Sequence, residues 1–275
     1  MAGVEAQISR DEVNDKRMLL HAHSWSFSAV LAMACANWLV FSGEKGIICS
    51  ERLAAMAKER ATAHHGVKYS KALKETFFAE RKTLTPSAKN LPEVCIGLTP
   101  IGAFLTSSEE IKELTYSASQ VFSVHIETEK FSRASSLLVS LLMHCERKEM
   151  ALNRFFEAFE VKINRKAFDR LKREAGNPEN PEDIFWRALA AFTETNSFED
   201  AIRRGGQLNV GNSNVSALTG AFAEAFYKNI SYDLITKALT KLPVNDQKTI
   251  RQYYAVIANR SQVLSARIHN IFDEL

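Results

Sequence analysis

Two closely spaced histidines are the first residues whose type and spacing suggest chemistry. His21 and His23 are two residues apart. On a helix they would point to different faces, whereas in an extended segment they would share a side and could chelate a metal ion. No carboxylate or cysteine stands near them in the sequence to complete the ligand shell. The pattern therefore favours a structural lead-in to the apolar segment that follows over a metal site.

A second candidate is the polar turn over residues 205–214, which leads directly into an apolar stretch. Glycines such as Gly211 let backbone N–H groups approach a ligand, and the start of a helix favours an anion. Asn212, Ser213 and Asn214 add side chains that form hydrogen bonds. The turn matches neither a Walker nor a Rossmann pattern. It is either a ligand site or a capped helix start with Asn214 as the cap.

A third candidate is His125, which is followed by Glu127 and Glu129. A histidine beside a carboxylate can serve as a general acid–base pair. The simpler interpretation is an isolated histidine near the start of a helix. The chain contains neither a Gly-x-Ser-x-Gly nor a His-Glu-x-x-His motif, so the sequence does not single out a catalytic residue.

The composition is that of a soluble globular protein of 275 residues, with 46% hydrophobic and 24% charged residues. The net charge of +3 is too balanced to indicate nucleic acid or a membrane as a partner. The cysteines form no Cys-x-x-Cys pair, which predicts reduced thiols in a cytoplasmic protein rather than zinc ligands or disulfides. They are Cys35, Cys49, Cys95 and Cys145.

The elements that position these residues are predicted to be helices. Glycine and proline are scarce, and apolar residues recur at three- and four-residue steps over 135–145, 215–227 and 250–272. The segment from Met18 to Gly43 has no acidic or basic residue and is long enough to span a bilayer. Its histidine, serine and asparagine side chains are costly in lipid, so we expect a buried helix instead. Helix starts are predicted at Ser50, Thr106, Asn196 and Asn214.

The C-terminal half of the chain carries three patterned segments, at residues 185–192, 197–202 and 220–227. Together they resemble the ADP-ribosylglycohydrolase family. The first two are similar to the helix pair that precedes the family's Gly-Gly-Asp-Thr-Asp-Thr loop. Residues 220–227 are similar to the small-residue helix that follows that loop. The N-terminal stretch resembles the family as well, because residues 24–34 look like its Thr-Asp-Asp-Thr-x-x-x-Leu-Ala-Leu-Ala segment.

Two shorter matches lie between these segments. Residues 100–102 resemble the family's Pro-Leu-Gly segment, and His125 stands where a Thr-His pair precedes a long helix. The resemblance thus covers about residues 22–243 in the right order. It implies a compact, single-domain all-α fold, and a chemistry in which two Mg²⁺ or Mn²⁺ ions, held by carboxylates, help to hydrolyse the bond between ADP-ribose and a protein side chain.

The acidic motifs that hold those metals are replaced in this chain. Ser24, Trp25, Ser26 and Phe27 stand in place of the first motif, and residues 211–214 stand in place of the second. The family's Gly-rich N-terminal helix has no counterpart before residue 21. The resemblance therefore implies that the metal pair is lost, with no cofactor and no catalytic residue. It leaves a vestigial ligand-binding cleft made of Ser24, Trp25, Ser26, His125, Gly211, Asn212, Ser213 and Asn214.

The leading hypothesis is a catalytically inactive ADP-ribosylglycohydrolase-like protein that binds an ADP-ribose-type ligand, a nucleotide or a protein partner. One alternative is a hydrolase of ADP-ribosyl or related glycosidic bonds with altered, metal-independent chemistry, using His125, Glu127 or the histidines at 21 and 23. Another is a purely structural or partner-binding role, for instance as a secreted effector. We expect an N-terminal extension over 1–20, the domain over 21–245, and over 246–275 an amphipathic helix that packs on the domain or on a partner.

Overall fold

The computed structural model describes residues 26–45, 49–64, 67, 69–78, 85–159, 165–176, 178–209 and 213–260. This part of the chain is all-α, so the predicted fold class is confirmed. Within these residues, β-pairing is confined to two isolated parallel bridges, Ser87 with Ser123 and Gly176 with Asn209.

The helices follow one another with short connections, and we number them in chain order. They are α1 (Phe27–Lys45), α2 (Ser50–Ala63), α3 (Lys71–Phe77), α4 (Pro92–Gly97), α5 (Pro100–Phe104), α6 (Ser108–Gln120), α7 (Ile126–His144), α8 (Lys148–Phe159), α9 (Arg165–Leu171), α10 (Pro181–Thr193), α11 (Phe198–Gln207), α12 (Asn214–Tyr227), α13 (Tyr232–Leu239) and α14 (Val244–Arg260).

Side-chain caps define several helix starts. The Ser107 hydroxyl accepts a hydrogen bond from the Glu110 amide at 3.4 Å, and the Ser197 hydroxyl accepts one from the Asp200 amide at 3.1 Å. The starts predicted at Thr106 and Asn196 are therefore each one residue too early. Ser50 and Asn214 are the first helical residues of α2 and α12, not their caps.

Helix α1 is apolar on most of its surface and buried on several sides. The side chains of Trp38 and Leu39 are completely buried, and the helix packs against α2, α4, α5 and α14. The predicted buried helix is thus present from Phe27 onward, and residues 18–25 lie outside the described residues. None of the helices in the described ranges combines the length and apolarity that a bilayer crossing requires.

Helix α7 occupies the centre of the molecule, with α4, α5, α6, α8, α10 and α12 packed around it. Its buried serines tie it to the backbone of its neighbours. The Ser136 hydroxyl donates to the Leu98 carbonyl at 2.9 Å, and the Ser140 hydroxyl donates to the Leu105 carbonyl at 3.2 Å. The backbone at Gly102 lies so close that an added Cβ would stand 1.9 Å from the Ser136 carbonyl oxygen.

Helix α14 closes the first of two large apolar clusters. Its Tyr253 and Ile257 are buried among residues of α1 to α5, and the Tyr253 hydroxyl donates to the Pro100 carbonyl at 2.6 Å. An ion pair between Arg60 and Asp246 ties α2 to the start of α14. The helix begins at Val244, two residues before the predicted boundary. The extension over 1–20 and the tail over 261–275 lie outside the described residues.

Candidate functional site

The structure brings the first turns of α1 and α12 together, although they are 186 residues apart in the chain. The Ser28 hydroxyl donates a hydrogen bond to the Asn214 side-chain oxygen at 3.3 Å. Ser28 is buried, and Asn214 is half-buried. Asn214 is one of the residues expected to line the cleft, and Ser28 directly follows residues 24–27, which are expected to line its other side.

Two further predicted residues flank the pair. The Ser26 hydroxyl accepts a hydrogen bond from the Ala29 amide at 3.2 Å, so Ser26 caps α1. Ser213 is exposed at the start of α12, and its side chain forms no capping hydrogen bond there. Of the other predicted cleft residues, Ser24, Trp25, Gly211 and Asn212 lie outside the described residues, as do the histidines at 21 and 23.

The first turns of the two helices at this junction differ in charge from those of most other long helices. The first turns of α6, α7, α10 and α11 each carry two acidic residues, whereas those of α1 and α12 carry none. A helix N-terminus carries a partial positive charge and unpaired N–H groups. The junction therefore favours an anion over a cation. Among the described residues, no group of three or more His, Cys, Asp or Glu side chains is placed to hold a metal ion.

The hydrogen bonds of His125 do not involve the junction of α1 and α12. Its Nδ1 accepts a hydrogen bond from the Glu127 amide at 3.3 Å, so the ring caps α7. The Glu127 carboxylate accepts from the Asn90 side chain at 2.9 Å rather than holding the ring. The hydrogen bonds of His125 thus serve the start of α7, and within the described ranges none of them reaches Ser28 or Asn214. The acid–base pairing suggested by the spacing is not formed.

A cavity of about 500 Å³, not foreseen from the sequence, lies further along the same helices. Its walls come from α1, α5, α7, α12, α13 and α14, and most of the lining side chains are apolar. Ala32 is one helical turn beyond Ser28, and Ala221 is two turns beyond Asn214. Small side chains on adjacent helices leave the space open, namely Ala32, Ala36, Ala103, Ala221 and Ala225.

One carboxyl group projects into this apolar space. Glu224 of α12 lines the cavity and accepts a hydrogen bond from the Tyr254 hydroxyl of α14. Burial raises the pKa of Glu224 to about 7, because an ionised carboxylate is poorly solvated there. Burial also raises the pKa of Tyr253 well above its ordinary value.

The sequence contains a signal that points to this carboxyl. Glu224 is the one charged residue between Asn214 and Tyr227. A lone charge on an otherwise apolar helix is either exposed to solvent or, when it is buried, needs a hydrogen-bonding or charged partner. The apolar spacing over 250–272 predicts a surface that packs on the domain or on a partner, and it carries no signal that Tyr254 pairs with Glu224.

Comparison of the sequence with models of known protein families finds no match, and comparison with curated proteins finds none. Two places in the described structure are therefore the candidate functional sites. One is the junction of α1 and α12 at Ser28 and Asn214, and the other is the apolar cavity beside Glu224.

Proposed function

We propose that this protein is a catalytically inactive ADP-ribosylglycohydrolase-like protein that binds an ADP-ribose-type ligand where α1 and α12 begin. The observation that carries the proposal is the hydrogen bond between Ser28 and Asn214. It links Asn214, which stands in the second replaced motif, to the residue that directly follows the first replaced motif at 24–27, and this proximity supports a shared cleft. We place this function in the cytoplasm, since all four cysteines are free thiols.

The electrostatics of the junction support an anionic ligand. Two helix starts without acidic residues lie side by side, and their N–H groups and partial positive charge suit a phosphate or diphosphate group. The half-buried Asn214 amide adds a neutral group that can form hydrogen bonds to a ribose or a phosphate, and the buried Ser28 hydroxyl holds that amide in place. A diphosphate joined to ribose combines both requirements.

The same residues support binding without hydrolysis. Cleavage of a glycosidic bond needs an acid and a base, or metal ions that activate water. Ser28 and Asn214 supply none of these, and the His125 ring and the Glu127 carboxylate are engaged at the start of α7. Metal-independent hydrolysis by this protein stays a prediction, and no specific contact among the described residues favours it.

The test is calorimetric titration of the purified protein with ADP-ribose, with and without Mg²⁺. We expect binding that does not depend on Mg²⁺, and we expect Asn214→Ala to weaken it about tenfold through loss of one or two hydrogen bonds. Asn245→Ala is the matched control, because Asn245 is an exposed asparagine in the first turn of α14. It should leave the affinity unchanged.

Three results would contradict the proposal. Mg²⁺-dependent release of ADP-ribose from a modified protein would show an active hydrolase. Binding only in the presence of Mg²⁺ would show a metal site at the junction. Failure of ADP-ribose to bind under either condition would exclude this ligand class and leave a protein partner as the occupant of the cleft.

A further inference from the structure

The cavity beside Glu224 has the dimensions and lining of a small-molecule site. Its volume of about 500 Å³ falls within the range of about 300–1,000 Å³ that is usual for such sites. Such sites are mostly apolar, with a few polar groups that fix the orientation of the ligand. Here Met33, Val139 and Ile257 contribute to the apolar walls, and Glu224 supplies a carboxyl group.

We propose that this cavity binds a small lipophilic amine, whose ammonium group pairs with the Glu224 carboxylate and whose apolar part lies against α1, α7 and α14. The proposed site is separate from the junction at Ser28 and Asn214. It would add a second ligand to the one inferred above.

The charge of Glu224 is what selects a cation. Among the described residues, Tyr254 is the hydrogen-bond partner of the carboxyl, and none of the ion pairs there includes Glu224. Lys228, which directly follows α12, also lines the cavity, and its ammonium group donates to the Met143 carbonyl at 2.5 Å. A close cation would lower the pKa of Glu224, whereas burial raises it. An ammonium group that enters with a ligand can supply that missing counter-charge.

The apolar walls explain why the rest of the ligand should be lipophilic. A hydrophilic cation such as ammonium or Na⁺ would lose its hydration against alanine, leucine and isoleucine side chains without gaining replacement ligands. A molecule with one ammonium group and an apolar body places its charge on Glu224 and removes its remaining surface from water. Tyr254 can stay on one carboxyl oxygen while the ammonium group takes the other.

The test compares three probes that differ only in their end group, namely 4-phenylbutylamine, 4-phenylbutan-1-ol and 4-phenylbutanoate. Calorimetry at about pH 8, where the free carboxyl is mostly ionised, should show the amine binding about tenfold or more tightly than the alcohol, and the carboxylate most weakly. Glu224→Gln should remove the preference for the amine. Glu113→Gln on the surface of α6 is the control and should retain that preference.

A second variant separates loss of the site from loss of the fold. Ala221→Phe narrows the cavity from a position one helical turn before Glu224, and it should abolish binding of both the amine and the alcohol while a thermal melt shows that the variant is folded. Equal affinities for the amine and the alcohol, an unchanged preference in Glu224→Gln, or no binding of any probe to the unmodified protein would each overturn the proposal. Titration of Glu224→Gln with ADP-ribose should still match the unmodified protein, which distinguishes failure here from failure at the junction.

Discussion

At the scale of single residues, Glu224 makes the stability of the protein depend on pH. Its pKa rises from an ordinary 4.5 to about 7 on folding, so the folded state holds a proton that the unfolded state releases. This contribution is fully present below the unfolded pKa and is lost as the pH rises through the folded pKa. Burial raises the pKa of the neighbouring Tyr253 further above its ordinary value, so this phenol stays protonated throughout the window.

We therefore expect the free energy of unfolding of the unmodified protein to fall between pH 4.5 and 7 relative to that of Glu224→Gln. The difference between the two proteins should change by no more than about 3 kcal/mol over that window. Urea denaturation at a series of pH values measures it. Parallel pH profiles for the two proteins would show that Glu224 is solvated as an ordinary surface glutamate.

The side chain of Lys148 links three helices through hydrogen bonds from its single ammonium group. Its ammonium group, at the start of α8, donates to the Phe192 carbonyl at 3.1 Å, the Thr195 carbonyl at 2.5 Å and the Tyr227 hydroxyl at 2.8 Å. Burial lowers the pKa of Lys148, but these three acceptors all favour the charged form.

We expect Lys148→Met to lower the free energy of unfolding by about 1–3 kcal/mol, because buried acceptors at the end of α10 lose their donor. Lys248→Met, at an exposed position on α14, is the matched control and should change it little. Equal effects of the two substitutions in chemical denaturation would show that Lys148 acts only as a surface charge.

At the scale of elements, the close contact between α5 and α7 depends on the absence of a side chain at Gly102. A Cβ there would stand 1.9 Å from the Ser136 carbonyl oxygen, a backbone atom that cannot rotate away. Gly102→Ala should therefore push the two helices apart and lower the free energy of unfolding by about 1–3 kcal/mol or more.

At Gly220 the same substitution should change the free energy of unfolding in the opposite direction. It lies inside α12, where a Cβ would meet the Ile202 side chain at an ordinary 3.6 Å. Gly220→Ala should raise the free energy of unfolding by about 0.5–1 kcal/mol, because alanine restricts the unfolded chain and favours a helix. Thermal melts of both variants test the pair, and a destabilised Gly220→Ala would contradict this account of the helix surface.

Most of the helices could be predicted from the sequence, because apolar spacing is a local property. The polar turn expected over 205–214 is wrong at its start, since Gly205 and Gly206 lie inside α11. The exact helix starts could not be predicted, since Thr106 and Ser107, like Asn196 and Ser197, are adjacent residues of capping type. Only the backbone geometry decides which of them accepts the hydrogen bond. The Ser28–Asn214 contact could not be derived from spacing at all, and the alanines around the cavity looked like ordinary helix formers.

At the scale of the whole molecule, α14 joins parts of the chain that are far apart in sequence. Asp246, which is 4% exposed, pairs with Arg60 of α2, and its second oxygen lies 3.7 Å from the His64 Nε2. Arg60 also donates to the Thr249 hydroxyl at 3.0 Å. The start of α14 is thus fixed to the end of α2 by a small buried polar cluster.

We expect Asp246→Ala to lower the free energy of unfolding by about 3 kcal/mol, because Arg60 is left without its counter-charge. Asp233→Ala is the control, since Asp233 forms an exposed pair with Lys237 within α13, and such pairs contribute only about 0.3–0.5 kcal/mol. Urea denaturation compares the two. If their effects are alike, α14 is not held to the body through this cluster.

The contact between α14 and α1 can form only late in the synthesis of the chain. About 200 residues separate the end of α1 from the beginning of α14. At about 5–20 residues per second, a ribosome needs roughly 10–40 seconds to make that stretch. During most of this time α1 is outside the ribosomal exit tunnel, and the surface of α1 that α14 will cover is exposed to solvent. Burial of this surface therefore has to await the synthesis of Tyr253 and Ile257.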